Sequence, residues 1–99
     1  MYDQKRKFDG GKLRYDLVPV EVEEELAKVL TYGVEKYAPN SWQTVEPFYD
    51  RYYAALRRHI AAWRKGEKID PESRLHHLSH ALCNVAFLLA KELEGGCDK

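Results

Sequence analysis

All four histidines of the chain fall between positions 59 and 80. They run as His59, then Glu67-Lys68-Ile69-Asp70, then His76-His77-Leu78-Ser79-His80-Ala81-Leu82-Cys83-Asn84. Imidazole is the side chain that changes charge near neutral pH, and neutral imidazole and carboxylate oxygens are the usual ligands of divalent cations. No other part of the sequence concentrates such groups. Proton transfer or metal chemistry is therefore expected where these side chains converge.

Three amphipathic stretches must position them. From Pro19, Val22, Leu26, Val29, Leu30, Gly33 and Tyr37 follow helical spacing. Glu21, Glu23, Glu24 and Glu25 crowd its first turns, where the helix dipole favours negative charge, and Pro39 ends it. Asn40-Ser41-Trp42 and Glu46-Pro47 then belong to a loop of roughly ten residues, long enough to be functional. A second helix is expected from about 49 to 65, with Tyr52, Leu56, Ile60 and Trp63 on one stripe and Gly66 as its stop. A third is expected to start near 71–73 and run to about 94, where Gly95-Gly96 terminate it. Its stripe is Leu75, Leu78, Leu82, Val85 and Leu89. Before the helices, Asp9-Gly10-Gly11-Lys12 suits a tight turn or small hairpin between Lys7-Phe8 and Leu13-Arg14-Tyr15. The expected fold is all-α: one domain over 1–99, with an N-terminal turn segment (1–18) and a helical core (19–94).

On the third helix, at about 100° per residue, His77, His80 and Asn84 fall within about 60° of one another, opposite the leucine stripe. Ala81, Phe87 and Leu88 flank this row, so a helix or subunit should cover it, and covered polar groups need partners. His59 borders the core stripe of the second helix and reaches the third if the two pack antiparallel. Glu67 and Asp70 lie in the connection. Two readings stay open. His59, Asp70, His77, His80 and Asn84 hold a divalent cation, or the histidines bond to one another, to Asn84 and to backbone as a structural network. Asp70-Pro71-Glu72-Ser73 also reads as an ordinary helix start with Asp70 as its cap, and His76 points away from the row toward the surface.

A second constellation has the chemistry to bind a nucleotide, which needs stacking for the base and positive charge for the phosphates. Lys36, Tyr37, Asn40 and Trp42 leave the first helix, Arg51, Arg57 and Arg58 spread over the second, and Lys12 and Arg14 follow the glycine turn. The competing role for Trp42 and the tyrosines is packing.

Sixteen basic and sixteen acidic residues cancel, which removes any global attraction to nucleic acid polymers or anionic membranes. The stretch 82–90, broken by Asn84, falls short of the roughly 20 apolar residues needed to cross a bilayer. Residues 1–14 lack the apolar block of a secretion signal. Cys83 and Cys97 have no CxxC spacing and are expected as free thiols in a reducing cytosol, Cys83 buried. A chain this short gains useful core from a partner subunit.

The run Lys7-Phe8-Asp9-Gly10-Gly11-Lys12-Leu13-Arg14-Tyr15-Asp16-Leu17 with Pro19, then Leu30-Thr31-Tyr32-Gly33 and Lys36-Tyr37, then Asn40-Ser41-Trp42, carries the first half of a family pattern. Tyr52-Tyr53-Ala54-Ala55-Leu56 with Arg58-His59, Gly66-Glu67 with Asp70-Pro71-Glu72-Ser73, and His77, His80 and Asn84 carry the second. Together they resemble, over nearly the whole chain, the phage-associated domain described as the N-terminal domain of dATP/dGTP diphosphohydrolases. That family is grouped with the MazG-like all-α nucleotide pyrophosphohydrolases. The resemblance implies a helical bundle completed by oligomerisation, as a dimer or tetramer, in the cytoplasm of a bacterium or phage-infected host. It implies a purine deoxynucleoside triphosphate cleaved to monophosphate and pyrophosphate with Mg or Mn.

MazG-type enzymes hold metal through an ExxE pair on one helix and an ExxD pair on the next. The corresponding stretches here read Arg58-His59-Ile60-Ala61 and His80-Ala81-Leu82-Cys83-Asn84, without acids. Either His59, His80 and Asn84 take their place, with Glu67 and Asp70 supplying charge, or the fold is kept and the site altered. Imidazole ligands shift the expected metal toward Mn, Zn, Fe or Co, since Mg prefers oxygen. In the enzymatic reading, Glu67, Asp70 or a histidine such as His80 accepts the proton of an attacking water, Lys36 or Arg58 offsets charge on the leaving pyrophosphate, and the base stacks on Tyr37 or Trp42. The alternative is a helical module that binds a nucleotide or a protein without turnover.

Overall fold

The computed structural model describes residues 11–95. A 3-10 turn at Tyr15–Leu17 leads into α1 (Val20–Lys36), a second at Ser41–Thr44 into α2 (Phe48–Arg64), and α3 (His77–Leu93) closes the chain. No strand forms among the described residues, so the architecture is all-α. The expected glycine hairpin rests partly on Lys7 and Phe8, outside the described residues, as are Gly96 and Cys97. Gly11 does take the positive φ expected of it, at 87°.

The helix boundaries follow local chemistry. α1 and α2 each begin directly after a proline, Pro19 and Pro47, with acids in the first turn and a basic residue in the last. α2 ends in a Schellman motif: Gly66 at φ 109° sends its N–H to Trp63 O, and Glu67 N–H bonds Ala62 O at 3.0 Å. That motif fixes where Glu67 leaves the helix.

The third helix starts later than its sequence suggests. Asp70 does act as a cap, but of one isolated turn: its carboxylate accepts from Ser73 N at 3.2 Å and Ser73 Oγ at 2.9 Å. Arg74 then swings to φ 67°, which breaks helical continuity. Asp70 N bonds Leu75 O and His77 N bonds Lys68 O, both at 2.8 Å, pairing Ile69 with His76 in an isolated antiparallel bridge. α3 is capped instead by His76, whose Nδ1 accepts from Leu78 N at 3.0 Å. His76 thus has a structural role rather than a free surface one.

α3 is the central helix, packed against both α1 and α2. Its orientation corrects the expected one. His77, Ser79, Ala81, Cys83 and Asn84 are buried, while Leu78, Val85 and Leu89 of the leucine stripe are 38%, 45% and 54% exposed. The polar row turns inward because α2 and its following connection carry the groups that satisfy it, and the small side chains of Ser79, Ala81 and Cys83 let both neighbours approach. The leucine stripe therefore does not close the core of this chain. On α2 the packed side chains include Phe48, Tyr52, Ala55, Leu56, His59 and Ala62, and Ile60 and Trp63 are more exposed than their periodicity suggests. At the far end an aromatic cluster anchors the 40s loop: Trp42 stacks on Phe87 with centroids 4.3 Å apart and planes 7° apart, and Tyr52 Oη donates to Trp42 O.

Candidate functional site

The connection between α2 and α3 sets acids against imidazoles from both helices. Glu67 leaves the Schellman motif, Asp70 and Ser73 form the capped turn, and the Ile69–His76 bridge delivers His77 to the start of α3. His59 faces them from α2, and His80 follows His77 by three residues on α3.

His59 Nδ1 and His77 Nδ1 are 2.8 Å apart, and His77 Nε2 lies 2.7 Å from Glu67 Oε1. His80 Nε2 is 2.7 Å from Ser73 Oγ and 3.5 Å from Asp70 Oδ2. The His59 and His80 rings stack with centroids 4.5 Å apart and planes 9° apart. Tyr32 of α1 meets His80 edge-on at 6.3 Å. Five of the expected site residues, His59, Glu67, Asp70, His77 and His80, share this cluster.

Burial, followed by the neighbouring His80 and His77, pulls the His59 pKa down to about 4. Burial lowers His80 as well, against the pull of Asp70. Desolvation pushes the Asp70 carboxyl up, but its bonds from Ser73 and the Glu72 backbone, with His80 beside it, together hold it below the usual carboxylate range. The imidazoles His59 and His80 are thus neutral beside an ionised acid at pH 7. A neutral ring with one nitrogen bonded keeps a lone pair that can accept from a water, and burial keeps that lone pair weakly basic.

Among the described residues, no group of three or more His, Cys, Asp or Glu is arranged to hold a metal ion. The ring nitrogens of His59, His77 and His80 are turned toward one another, Glu67 and Ser73 rather than toward a common point. As placed, these residues do not fit a resident Mg or Mn cage, which demands several converging oxygens. Asn84 is buried one turn beyond His80 and donates its Nδ2 to His80 O at 3.0 Å, so it braces its own helix.

The expected nucleotide contacts are dispersed. Lys36 Nζ pairs with Glu72 Oε2 at 2.7 Å, beside Tyr32 and Tyr37, and this ties the end of α1 to the Asp70–Ser73 turn. Tyr32 Oη donates to the same Glu72 oxygen. Tyr37 is exposed, as are Lys12 and Arg58. The charge of Arg58 adds to what keeps His59 neutral. Asn40 takes φ 62° and accepts from Gln43 N, a turn role. One ring face of Trp42 is taken by Phe87. Ser73, Glu72 and Tyr32 were not foreseen as site residues. Only Ser73 had a usable signal, its position three residues after Asp70 in an Asx-type turn.

Residues 2–98 match the family described as dATP/dGTP diphosphohydrolase, N-terminal, and the chain belongs to that family. It is 35% identical over 82 residues to a protein of Salmonella phage PMBT28 named dATP/dGTP diphosphohydrolase. That similarity covers 83% of this chain and 28% of the relative, so the chain spans less than a third of the relative's length. No solved structure matches it.

Proposed function

We propose that the histidine cluster is a hydrolytic site for a purine deoxynucleoside triphosphate. The observation that carries this reading is the pair of neutral, stacked imidazoles His59 and His80, the first linked to Glu67 through His77 and the second to Asp70 through Ser73, in a chain of the dATP/dGTP diphosphohydrolase N-terminal family. A water held against the cluster attacks the α-phosphorus. A new P–O bond forms, the bond from that phosphorus to the bridging oxygen breaks, and its electron pair leaves with pyrophosphate. The water's proton passes to an imidazole. Any divalent cation enters as part of the substrate, bound to the triphosphate, the common situation for Mg. Lys36 and Arg58 supply positive charge at the rim, Lys12 adds to it, and the exposed ring of Tyr37 is available for the base.

Val22, Leu75, Leu78 and Leu82 line an open groove between α1 and α3, with Val85 and Leu89 exposed further along. No large side chain among the described residues is completely buried. A second copy of the chain covers this apolar face in a dimer or tetramer.

The test is direct: incubate the protein with dATP, dGTP, dCTP and ATP in Mg, Mn, Co or Zn and follow monophosphate and pyrophosphate. Turnover of the purine deoxynucleotides that His59→Ala and His80→Ala abolish is the expected result. Saturable nucleotide binding without turnover under any metal replaces this reading with a binding module.

A further inference from the structure

Two hydrogen bonds in series link a half-exposed carboxylate to the interior. Glu67 is 52% exposed at its side chain, and its Oε1 lies 2.7 Å from Nε2 of His77, itself 5% exposed. The other nitrogen of His77, Nδ1, lies 2.8 Å from His59 Nδ1. An ionised carboxylate can only accept, so the hydrogen bond requires a proton on His77 Nε2. A ring that carries a single proton, on that nitrogen, offers a lone pair at Nδ1. Two lone pairs cannot face each other across 2.8 Å, so His59 Nδ1 must be the donor. The acceptor nitrogen of His59 is then Nε2. One carboxylate at the end of α2 thus decides, through an intervening ring, which atom of a second ring holds the lone pair.

We infer that Glu67 is a positioning residue: acting through His77, it fixes His59 as the Nδ1–H tautomer and leaves His59 Nε2 as the nitrogen that takes the proton of the attacking water. This rests on the hydrolytic reading above and specifies its proton acceptor.

The neighbouring arm runs through a hydroxyl and ends on His80. Ser73 Oγ lies 2.9 Å from Asp70 Oδ2 and 2.7 Å from His80 Nε2, and it also accepts from Leu75 N. Ionised Asp70 can only accept, so the hydroxyl proton goes to Asp70 Oδ2 and His80 donates to Ser73 Oγ from Nε2. An imidazole cannot reverse its polarity without moving a proton between its nitrogens. The direction of the Glu67, His77, His59 series is therefore locked for as long as the carboxylate is present. Without it, nothing distinguishes the two tautomers of His77, and the reversed series puts the proton on His59 Nε2 and blocks it as an acceptor.

The experiment uses protein labelled with 15N in histidine, with long-range 1H–15N correlation at pH 7.5 and kinetics on the same samples. In the unsubstituted protein, His59 should show a protonated Nδ1 and a bare Nε2, and His77 the opposite pattern. Glu67→Ala should mix or reverse both patterns and lower kcat by about 10²-fold, in the range of a general base contribution, with KM changed less than about threefold. Glu67→Gln, whose amide oxygen still accepts, should fall between the two. Glu67 is half exposed, so these variants should keep the fold, and a thermal unfolding curve checks it. An active protein with the proton on His59 Nε2, or with patterns that Glu67→Ala leaves unchanged, overturns the inference and leaves the hydrolase reading standing. The expected tautomers in a protein that hydrolyses no triphosphate overturn the hydrolase reading and, with it, the proton-accepting role.

Discussion

The ring of His80 lies flat on that of His59, 4.5 Å between centroids. Two stacked, part-buried imidazoles resist a shared positive charge, and this shapes the dependence of stability on pH. The folded-state pKa of His59 is about 4, below its ordinary 6.5, with burial as the main cause, and His80 moves the same way. The unfolded chain therefore takes up a proton on His59 near pH 6.5 that the folded one refuses until about pH 4, and His80 acts in the same direction. Stability should be full above pH 6.5 and decline steadily below it. The carboxylates Asp70 and Glu72, lowered in the fold, act at lower pH, so the window from 6.5 to 5 isolates the imidazoles. Thermal midpoints measured across that window should fall, and His59→Gln should flatten the slope. A level profile would mean that the histidines are solvated.

Trp42 separates packing from substrate binding. Its ring is stacked on Phe87 and near Phe48. Trp42→Ala should cost about 2–4 kcal/mol, somewhat less than a fully buried aromatic because the ring is half-buried, and Trp42→Phe much less. Calorimetry gives the stability, and KM for dGTP gives the other arm. A raised KM with an unchanged unfolding midpoint would return Trp42 to the nucleotide site.

Arg74 occupies the left-handed region at φ 67°, where any residue with a Cβ is strained. Arg74→Gly should raise stability by about 0.5–1 kcal/mol after allowing for the greater freedom of glycine in the unfolded chain. In a domain of this size that is a few degrees in the unfolding midpoint. Arg74→Val should lower it. No gain from glycine would show that the Arg74 side chain makes a compensating contact.

The exposed stripe of Leu78, Val85 and Leu89 predicts association in solution. Each buried leucine contributes about 1.5–3 kcal/mol, so losing one from each copy across a two-fold interface should weaken dimerisation on the order of a hundredfold or more. Light scattering should find Leu89→Glu shifted to monomer with its helical content intact. A protein that is monomeric at every concentration before substitution rules out this interface.

Much of this was readable in the chain. The prolines and the Gly66 stop place α1 and α2 to within a residue or two of their expected ends, because those signals act through local backbone geometry. The convergence of His59, Asp70, His77 and His80 followed from helical spacing and one short connection. The orientation of α3 did not. Both of its faces are partly apolar, and periodicity counts apolar residues without weighing what hydrogen bonds the polar ones will find. The later start of α3 was hidden for a related reason. Asp70-Pro71-Glu72-Ser73 has the composition of a helix cap, and only the Arg74 backbone and the Ile69–His76 bridge reveal that it closes one turn. The partners of Lys36 and Trp42 are distant in sequence, so no local pattern announces them.

The short link from Gly66 to His76 supplies Glu67 to His77 and Asp70 and Ser73 to His80, both on α3, and reaches His59 on α2 through His77. Surface links usually drift freely in length between relatives. Here an added or missing residue shifts an acid past its imidazole by about 3.5 Å, more than a hydrogen bond spans. The bend between α2 and α3 thus behaves as a ruler, and insertions there should be as damaging as replacing the histidines themselves.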